Sequence, residues 1–551
     1  MLRPPGARSN AGDDRRKSEH SPRDRARAGC GQPRSMRVLA QTIFQGHSLM
    51  QVDVRTRLGT LRGVQRDKHQ VFLGIPFSAP REGATRFAAP EPVAAWSGVR
   101  EAREFAASCP QPWRRGVTPE GPQSEDCLYL NVYTPAADGA RRPVMFWIHG
   151  GGFIAGGASD PLYDGGALCV RGNVVIVTIN YRLGALGYLY LGTHGGAQPA
   201  AAANAGQLDQ LAALRWVREH IAAFGGDPEQ VTIFGESAGS AAVCALLATP
   251  DARGLFVRAI AQSGTANRFA DPSAAGAHTD AFLAKLDVGP NPVERLRALP
   301  VETLLQAQQA FPMEAFWPIV DGRHLPERPI VAVRKGAARD IPLLIGTNRD
   351  EHKFYVDPRR PPLADAALEE QLRQLLPAAS RERASELIAC YRESRSSRDL
   401  PHSNNDVLDA AQTDSRFRIP ATRVAAAQAE HQPSTYAYLF DWESPAYRNT
   451  MGACHALELG FVFGRLGRVA GLERLTGSGA AAERLSAQMM DAWLAFARTG
   501  DPSCEALGEW PRYEARQRQT MILGKASHVE AAPFEAEREL WESLLTSGQP
   551  R

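Results

Sequence analysis

Apolar and polar positions alternate in character from one end of the chain to the other. "VRTRLGTLRGV" (54–64) and "HQVFLGIPF" (69–77) are short runs broken by Gly, which predicts antiparallel strands joined by turns. "PVMFWIHGGGF" (143–153) and "NVVIVTINYR" (173–182) are continuously apolar instead. Such runs suit parallel strands covered on both faces. In "NAGQLDQLAALRWVREHIAAFGGDP" (204–228), Leu208, Leu211, Leu214, Val217 and Ile221 recur at three- and four-residue spacing, so an amphipathic helix is expected there. Gly225, Gly226 and Pro228 end it. "QVTIF" is then a strand, "AGSAAVCALLAT" a helix, and "FVRAIAQSG", "IPLLIGTN" and "STYAYLFDW" further strands. This alternation predicts an open α/β sheet with helices on both faces.

Residues 266–335 and 352–430 interrupt the rhythm. They are helix-rich, charged and punctuated by Pro, and are expected to be insertions capping the active edge of one domain spanning 50–551. Residues 1–49 open with a stretch rich in Arg, Pro, Gly and Ser. They are expected to be a disordered basic extension, with Met36 or Met50 as an alternative start. The net charge is +3, of which the first 35 residues supply +5. The nearly neutral remainder argues against a nucleic-acid partner. No long apolar run predicts a membrane span, and no signal peptide is recognised, so a cytoplasmic location is expected. The eight cysteines show no Cys-x-x-Cys pair, so neither a zinc site nor a disulfide scaffold is indicated.

Two glycine-rich stretches carry chemistry. Gly235-Glu236-Ser237-Ala238-Gly239 lies between a predicted strand and a predicted helix. A Gly-x-Ser-x-Gly arises by chance often enough to mean little alone. Set on a strand-to-helix turn, it becomes a nucleophile elbow, which lifts the Ser237 hydroxyl above the sheet. "WIHGGGF" (147–153) places three glycines after a central strand, where backbone N–H groups can approach a developing oxyanion.

The motifs together resemble the type-B carboxylesterase/lipase family, which includes cholinesterases and bacterial para-nitrobenzyl esterases. The resemblance spans about residues 52–545. It rests on "FLGIPFSAP", "CPQ", "SEDCLYLNVYTP", "HGGGF", "NYRLGALGYL", "FGGDPEQVTIFGESAGS", "IAQSGT" and "PIVDGRHLPERP", in that order. It implies an α/β-hydrolase fold, a large mostly parallel sheet with helices on both faces and helical cap insertions. The implied activity is that of a serine carboxylesterase acting on a small-molecule ester, without cofactor or metal. "GTNRDE" and "MGACHALELGFVFG" imply Glu351 as the acid and His455 as the histidine of a triad with Ser237. Asp350 stays open as a rival acid. The implied oxyanion donors are the N–H groups of Gly151, Gly152 and Ala238. Glu236 is implied to face the site, or else is a buried polar anchor. Ser263 is implied to hydrogen-bond near the acid, or else is a strand-end turn residue. His149 is expected to support the glycine loop, and Arg182 with Asp209 to form a structural ion pair.

Cys109 and Cys127 correspond to a disulfide pair in secreted relatives. Without a secretion signal both are expected as thiols. Three departures bear on the substrate. Val117 stands where cholinesterases carry a choline-stacking Trp, with Trp113 four residues too early. Pro312, Met313 and Glu314 stand where aromatics would narrow the acyl pocket. His352 follows the acid where the family usually has Gly. The first two favour a roomy, general ester pocket; His352 is either harmless or perturbs Glu351. The alternatives are a hydrolase of carbamates, lactones or another acyl compound with the same triad, and a non-catalytic binding module. Oligomeric state is not legible.

Overall fold

The computed structural model describes residues 50–192, 202–264 and 266–546. The expected extension over 1–49 lies outside these residues. The strands are β1 (Gln51–Arg55), β2 (Thr60–Arg66), β3 (His69–Pro76), β4 (Val99–Glu101), β5 (Tyr129–Thr134), β6 (Arg142–Ile148), β7 (Val175–Ile179), β8 (Gly226–Glu236), β9 (Arg258–Gln262), β10 (Leu343–Asn348), β11 (Thr435–Phe440), β12 (Gln519–Leu523) and β13 (His528–Ala531). They form one sheet in the order β1-β2-β3-β5-β7-β6-β8-β9-β10-β11-β12-β13, with β4 beside β2. From β7 across to β12 every pairing is parallel. The outer pairs along this path, including β3–β5 and β5–β7, are antiparallel, while β4 lies parallel to β2. This is the mixed sheet, parallel at its centre, of the α/β-hydrolase fold.

The centre is parallel because it is buried on both faces. Val144, Phe146 and Ile148 of β6 enter one apolar core, while the intervening Met145 and Trp147 enter another. Side chains alternate across a strand, so a strand buried on both sides must read as an unbroken apolar run. The helix Ala205–His220 buries Leu208, Leu211, Leu214 and Val217 on the first face. The helix Ala480–Thr499 buries Leu485, Met489, Trp493 and Phe496 on the second.

The two interrupting segments differ in how they are held. Phe282, Leu296, Leu304 and Phe316 of the first join the core on the Val144 face. Much of the second builds a separate small core from Leu368, Leu372, Leu387, Tyr391 and Val407. Trp541 and Leu544 of the last helix, Glu535–Thr546, complete it. The buried Arg182 and Asp209 pair at 2.7 Å. Cys109 and Cys127 are free and buried, and the Leu183 N–H donates to Cys109 Sγ at 3.3 Å. The Cys109 thiol and burial push the Cys127 thiol well up. No helix of the described residues is long and apolar enough to cross a membrane.

Candidate active site

β8 ends at Glu236 and the helix Ala238–Ala248 begins at once, leaving Ser237 as the turn between them. Ser237 has φ 57° and ψ −118°, which a residue with a Cβ rarely adopts. Such a conformation costs about 1–3 kcal/mol and persists only where the surroundings enforce it. They do so here. A Cβ on Gly235 would lie 2.6 Å from the Gly239 carbonyl, and one on Gly239 would lie 2.0 Å from the Ile148 oxygen. The Ser237 N–H donates to the Gln262 carbonyl at 2.9 Å, tying the turn to the end of β9.

The loop after β6 runs beside this turn. A Cβ on Gly150 would meet Glu236 Oε2 at 2.7 Å and Ser237 Cβ at 3.1 Å. Gly151 (φ 104°) and Gly152 (φ 68°) then fold the chain back, with the Ala155 N–H donating to the Gly151 carbonyl at 3.0 Å. Among the described residues no acceptor takes the N–H of Gly151, Gly152 or Ala238. Three donors therefore stand ready beside Ser237, as an oxyanion requires. His149 supports the loop as expected. Its Nδ1 lies 2.8 Å from the Gly150 carbonyl, and its ring stacks on Tyr181 at 4.4 Å. Burial lowers its pKa to about 4, so the ring is neutral and Nδ1–H donates. Gln111 is a support the sequence reading passed over. It accepts from the Gly156 N–H at 2.7 Å and donates to the Gly156 carbonyl at 2.8 Å.

His455 Nδ1–H donates to Glu351 Oε2 at 2.6 Å. Glu351 is fully buried, and its other oxygen accepts from the Asn348 N–H at 2.8 Å. Asp350, the rival acid, is engaged elsewhere. It takes Arg349 Nε at 2.8 Å and the Ala453 N–H at 3.1 Å, with Lys353 and Arg395 within 4 Å. Burial works to raise its pKa, but Arg349, Lys353 and Arg395 outweigh that and hold it well below the usual carboxylate range. Burial, then Arg416 and Arg360, lowers His352 to about 4, so it brings no charge beside Glu351 at neutral pH.

His455 Nε2 lies 3.0 Å from Glu236 Oε1, without the alignment of a hydrogen bond. No hydrogen bond joins it to Ser237 among the described residues. Burial and the Glu351 charge push Glu236 well above the carboxylate range. With its ionisation disfavoured in this way, Glu236 opposes the Nε2 lone pair less than an ordinary carboxylate would. Glu458, also passed over in the sequence, lies three residues beyond His455, where the turn leads into the short helix Leu459–Val462. It accepts from Asn348 Nδ2 at 2.7 Å and Gln262 Nε2 at 3.2 Å. Burial, then Glu236 and Glu351, raises it to about 8. Ser263 is a strand-end turn residue with φ 50°. Its buried Oγ has no partner, so the hydrogen bond expected near the acid is not formed.

Ser237, Glu236 and His455 line a cavity of about 300 Å³, together with Val117, Met313 and Tyr355. Val117 sits in the wall, whereas Trp113 is 72 % exposed and outside it. No indole is among the described residues lining the cavity. Met313 packs against Gly152, with its sulfur 2.2 Å from where a Cβ would stand. Phe417 touches the imidazole at 4.9 Å from a π-helical turn, Asp414–Arg418.

The model of the carboxylesterase family matches residues 50–541. A para-nitrobenzyl esterase of Bacillus subtilis is 40% identical over 501 residues, covering 88% of this chain and 97% of that protein. A phenmedipham hydrolase of Pseudarthrobacter oxydans is 34% identical, covering 85% of this chain and 94% of that protein. A solved Geobacillus stearothermophilus carboxylesterase superposes with a TM-score of 0.79 at 42% identity, covering 89% of this chain and 99% of that chain. The chain belongs to the carboxylesterase family and is a carboxylic-ester hydrolase.

Proposed function

We propose that the chain hydrolyses small-molecule carboxylic esters through Ser237, His455 and Glu351. The observation that carries this reading is the 2.6 Å contact of a buried Glu351 with His455 Nδ1, on the wall of the cavity that holds Ser237. When an ester enters, Nε2 exchanges its Glu236 contact for Ser237 Oγ and takes the hydroxyl proton as Oγ attacks the carbonyl. The negative oxygen falls to the N–H groups of Gly151, Gly152 and Ala238. A single such donor is worth about 2.7–4 kcal/mol in the transition state. His455 returns the proton to the leaving alcohol, and Glu351 holds the imidazolium. Water, deprotonated by the same nitrogen, then releases the acid from the Ser237 acyl ester.

The wall residues Val117 and Met313 support a general pocket in place of a choline site. Ser237→Ala is expected to abolish hydrolysis of short-chain p-nitrophenyl esters and labelling by a fluorophosphonate, with an unchanged circular dichroism spectrum. Near-full turnover by the folded variant would overturn the assignment.

A further inference from the structure

The cavity wall carries a guanidinium that the hydrolysis itself does not use. Arg268 lies on the loop after β9 and lines the cavity with Ser237 and His455. Its Cζ sits 4.6 Å from the centroid of the Phe417 ring, and that ring is 4.9 Å from the imidazole. Arg268 is thus one aromatic ring away from His455.

Other buried arginines of the molecule meet carboxylates. Arg86 pairs with Glu125, Arg182 with Asp209, and Arg349 with Asp350. Among the described residues no carboxylate lies within ion-pair distance of Arg268, and no hydrogen-bond acceptor takes its N–H groups. Half-buried against an aromatic face, it keeps its charge and its planar donor fork open to the cavity. The acidic groups in the same wall leave it unpaired, although its charge does pull on Glu236. Burial pushes Glu236 well up, and Asp160 is also raised by burial while its Oδ1 accepts from the Leu162 N–H. Arg114, exposed and lining the same cavity, adds a second positive charge.

We propose that Arg268 is a specificity-determining residue that selects esters carrying a second, free carboxylate: half-esters of dicarboxylic acids, or esters of carboxylate-bearing alcohols. Such a group would dock against the guanidinium in the bidentate manner that the fork favours. The proposal rests on the ester-hydrolase reading above and adds the charge of the substrate to it.

Two matched pairs of esters test it. Monophenyl adipate and its terminal-amide analogue place the difference in the acyl half. p-Carboxyphenyl acetate and p-carbamoylphenyl acetate place it in the alcohol half. The quantity read is the acid-to-amide ratio of kcat/KM, in which any general loss of activity cancels. In at least one pair this ratio is expected to be roughly tenfold to a hundredfold higher for the wild type than for Arg268→Met, the usual range for a hydrogen bond to a charged group. Arg268→Lys is expected to keep part of the preference, and fluorophosphonate titration of each variant counts folded active sites. The pair that responds identifies the half of the ester that meets Arg268. An unchanged ratio in both pairs overturns the proposal. Amide analogues hydrolysed normally beside that result leave the esterase reading intact. Absence of Ser237-dependent turnover of all four esters would instead sink the esterase reading itself.

Discussion

Two adjacent carboxylates, Asp350 and Glu351, have opposite work because of where each one points. Glu351 faces His455, and its two oxygens are taken by the imidazole and the Asn348 N–H. Asp350 faces away and gathers Arg349, Lys353 and Arg395. Substitution separates the roles. Glu351→Gln keeps the volume but presents an amide to Nδ1, so the tautomer that frees Nε2 as a base is disfavoured. A loss of about 10⁴ in kcat is expected, the size seen when a triad acid becomes its amide. Asp350→Asn removes the carboxylate that Arg349, Lys353 and Arg395 share, while Arg349 keeps Asp441 and Glu443 and Lys353 keeps Asp406, so a cost of about 3 kcal/mol of stability is expected. Urea melts and steady-state kinetics on both variants check the pair. A large kcat loss in folded Asp350→Asn, with Glu351→Gln active, would reverse the assignment. The sequence placed both residues in one hexapeptide and left the choice open, because adjacent residues in a short turn can face either way.

At the scale of elements, the junction of β6, β8 and the helix Ala238–Ala248 leaves no room for a side chain. Gly239→Ala puts a methyl 2.0 Å from a backbone oxygen that cannot swing aside. It should destabilise by about 1–3 kcal/mol or more and displace the Ala238 donor with it. Gly276 lies inside the helix Pro272–Lys285, with nothing within 4 Å of where a methyl would stand. The same substitution there is expected to stabilise by about 0.4–1 kcal/mol, by restricting the unfolded chain. Denaturant midpoints of the two variants should therefore move in opposite directions, and movement in the same direction would show that the close approach at Gly239 is relieved elsewhere. The elbow was legible in sequence because its glycines, strand and helix are contiguous. The unbroken apolar runs likewise announced the parallel strands. The π-helical turn that aims Phe417 was not legible, since it sits in a segment with ordinary helix composition. Nor was the small core that the last helix completes, since its halves lie more than a hundred residues apart. Gln111 and Glu458 stood inside recognised motifs, but only the folded chain shows which groups they hold.

Across the whole molecule, buried groups that resist ionising set how stability follows pH. Burial, then Glu236 and Glu351, raises Glu458 to about 8, and burial raises Asp414 to about 6 against the pull of Arg418. A raised carboxyl keeps its proton in the folded state at a pH where the unfolded chain has released it. Its stabilising contribution is complete below the unfolded value, 4.5 for Glu458, and is lost as pH rises toward the folded value. His149 and His352 act in the other direction. Both fall from 6.5 to about 4 through burial, so they take stability away only as pH drops below about 6.5. Above that point Glu458 and Glu236 dominate, and the thermal midpoint is expected to fall between about pH 6.5 and about pH 8. Glu458→Gln removes the ionisable group while keeping an acceptor for Asn348. Whatever its absolute stability, its midpoint should decline less steeply over that interval. Calorimetry of both proteins across the range reads the two slopes directly. Equal slopes would mean that Glu458 ionises in the fold as readily as in the unfolded chain, and that the three carboxyls around His455 do not share their burden as the geometry indicates.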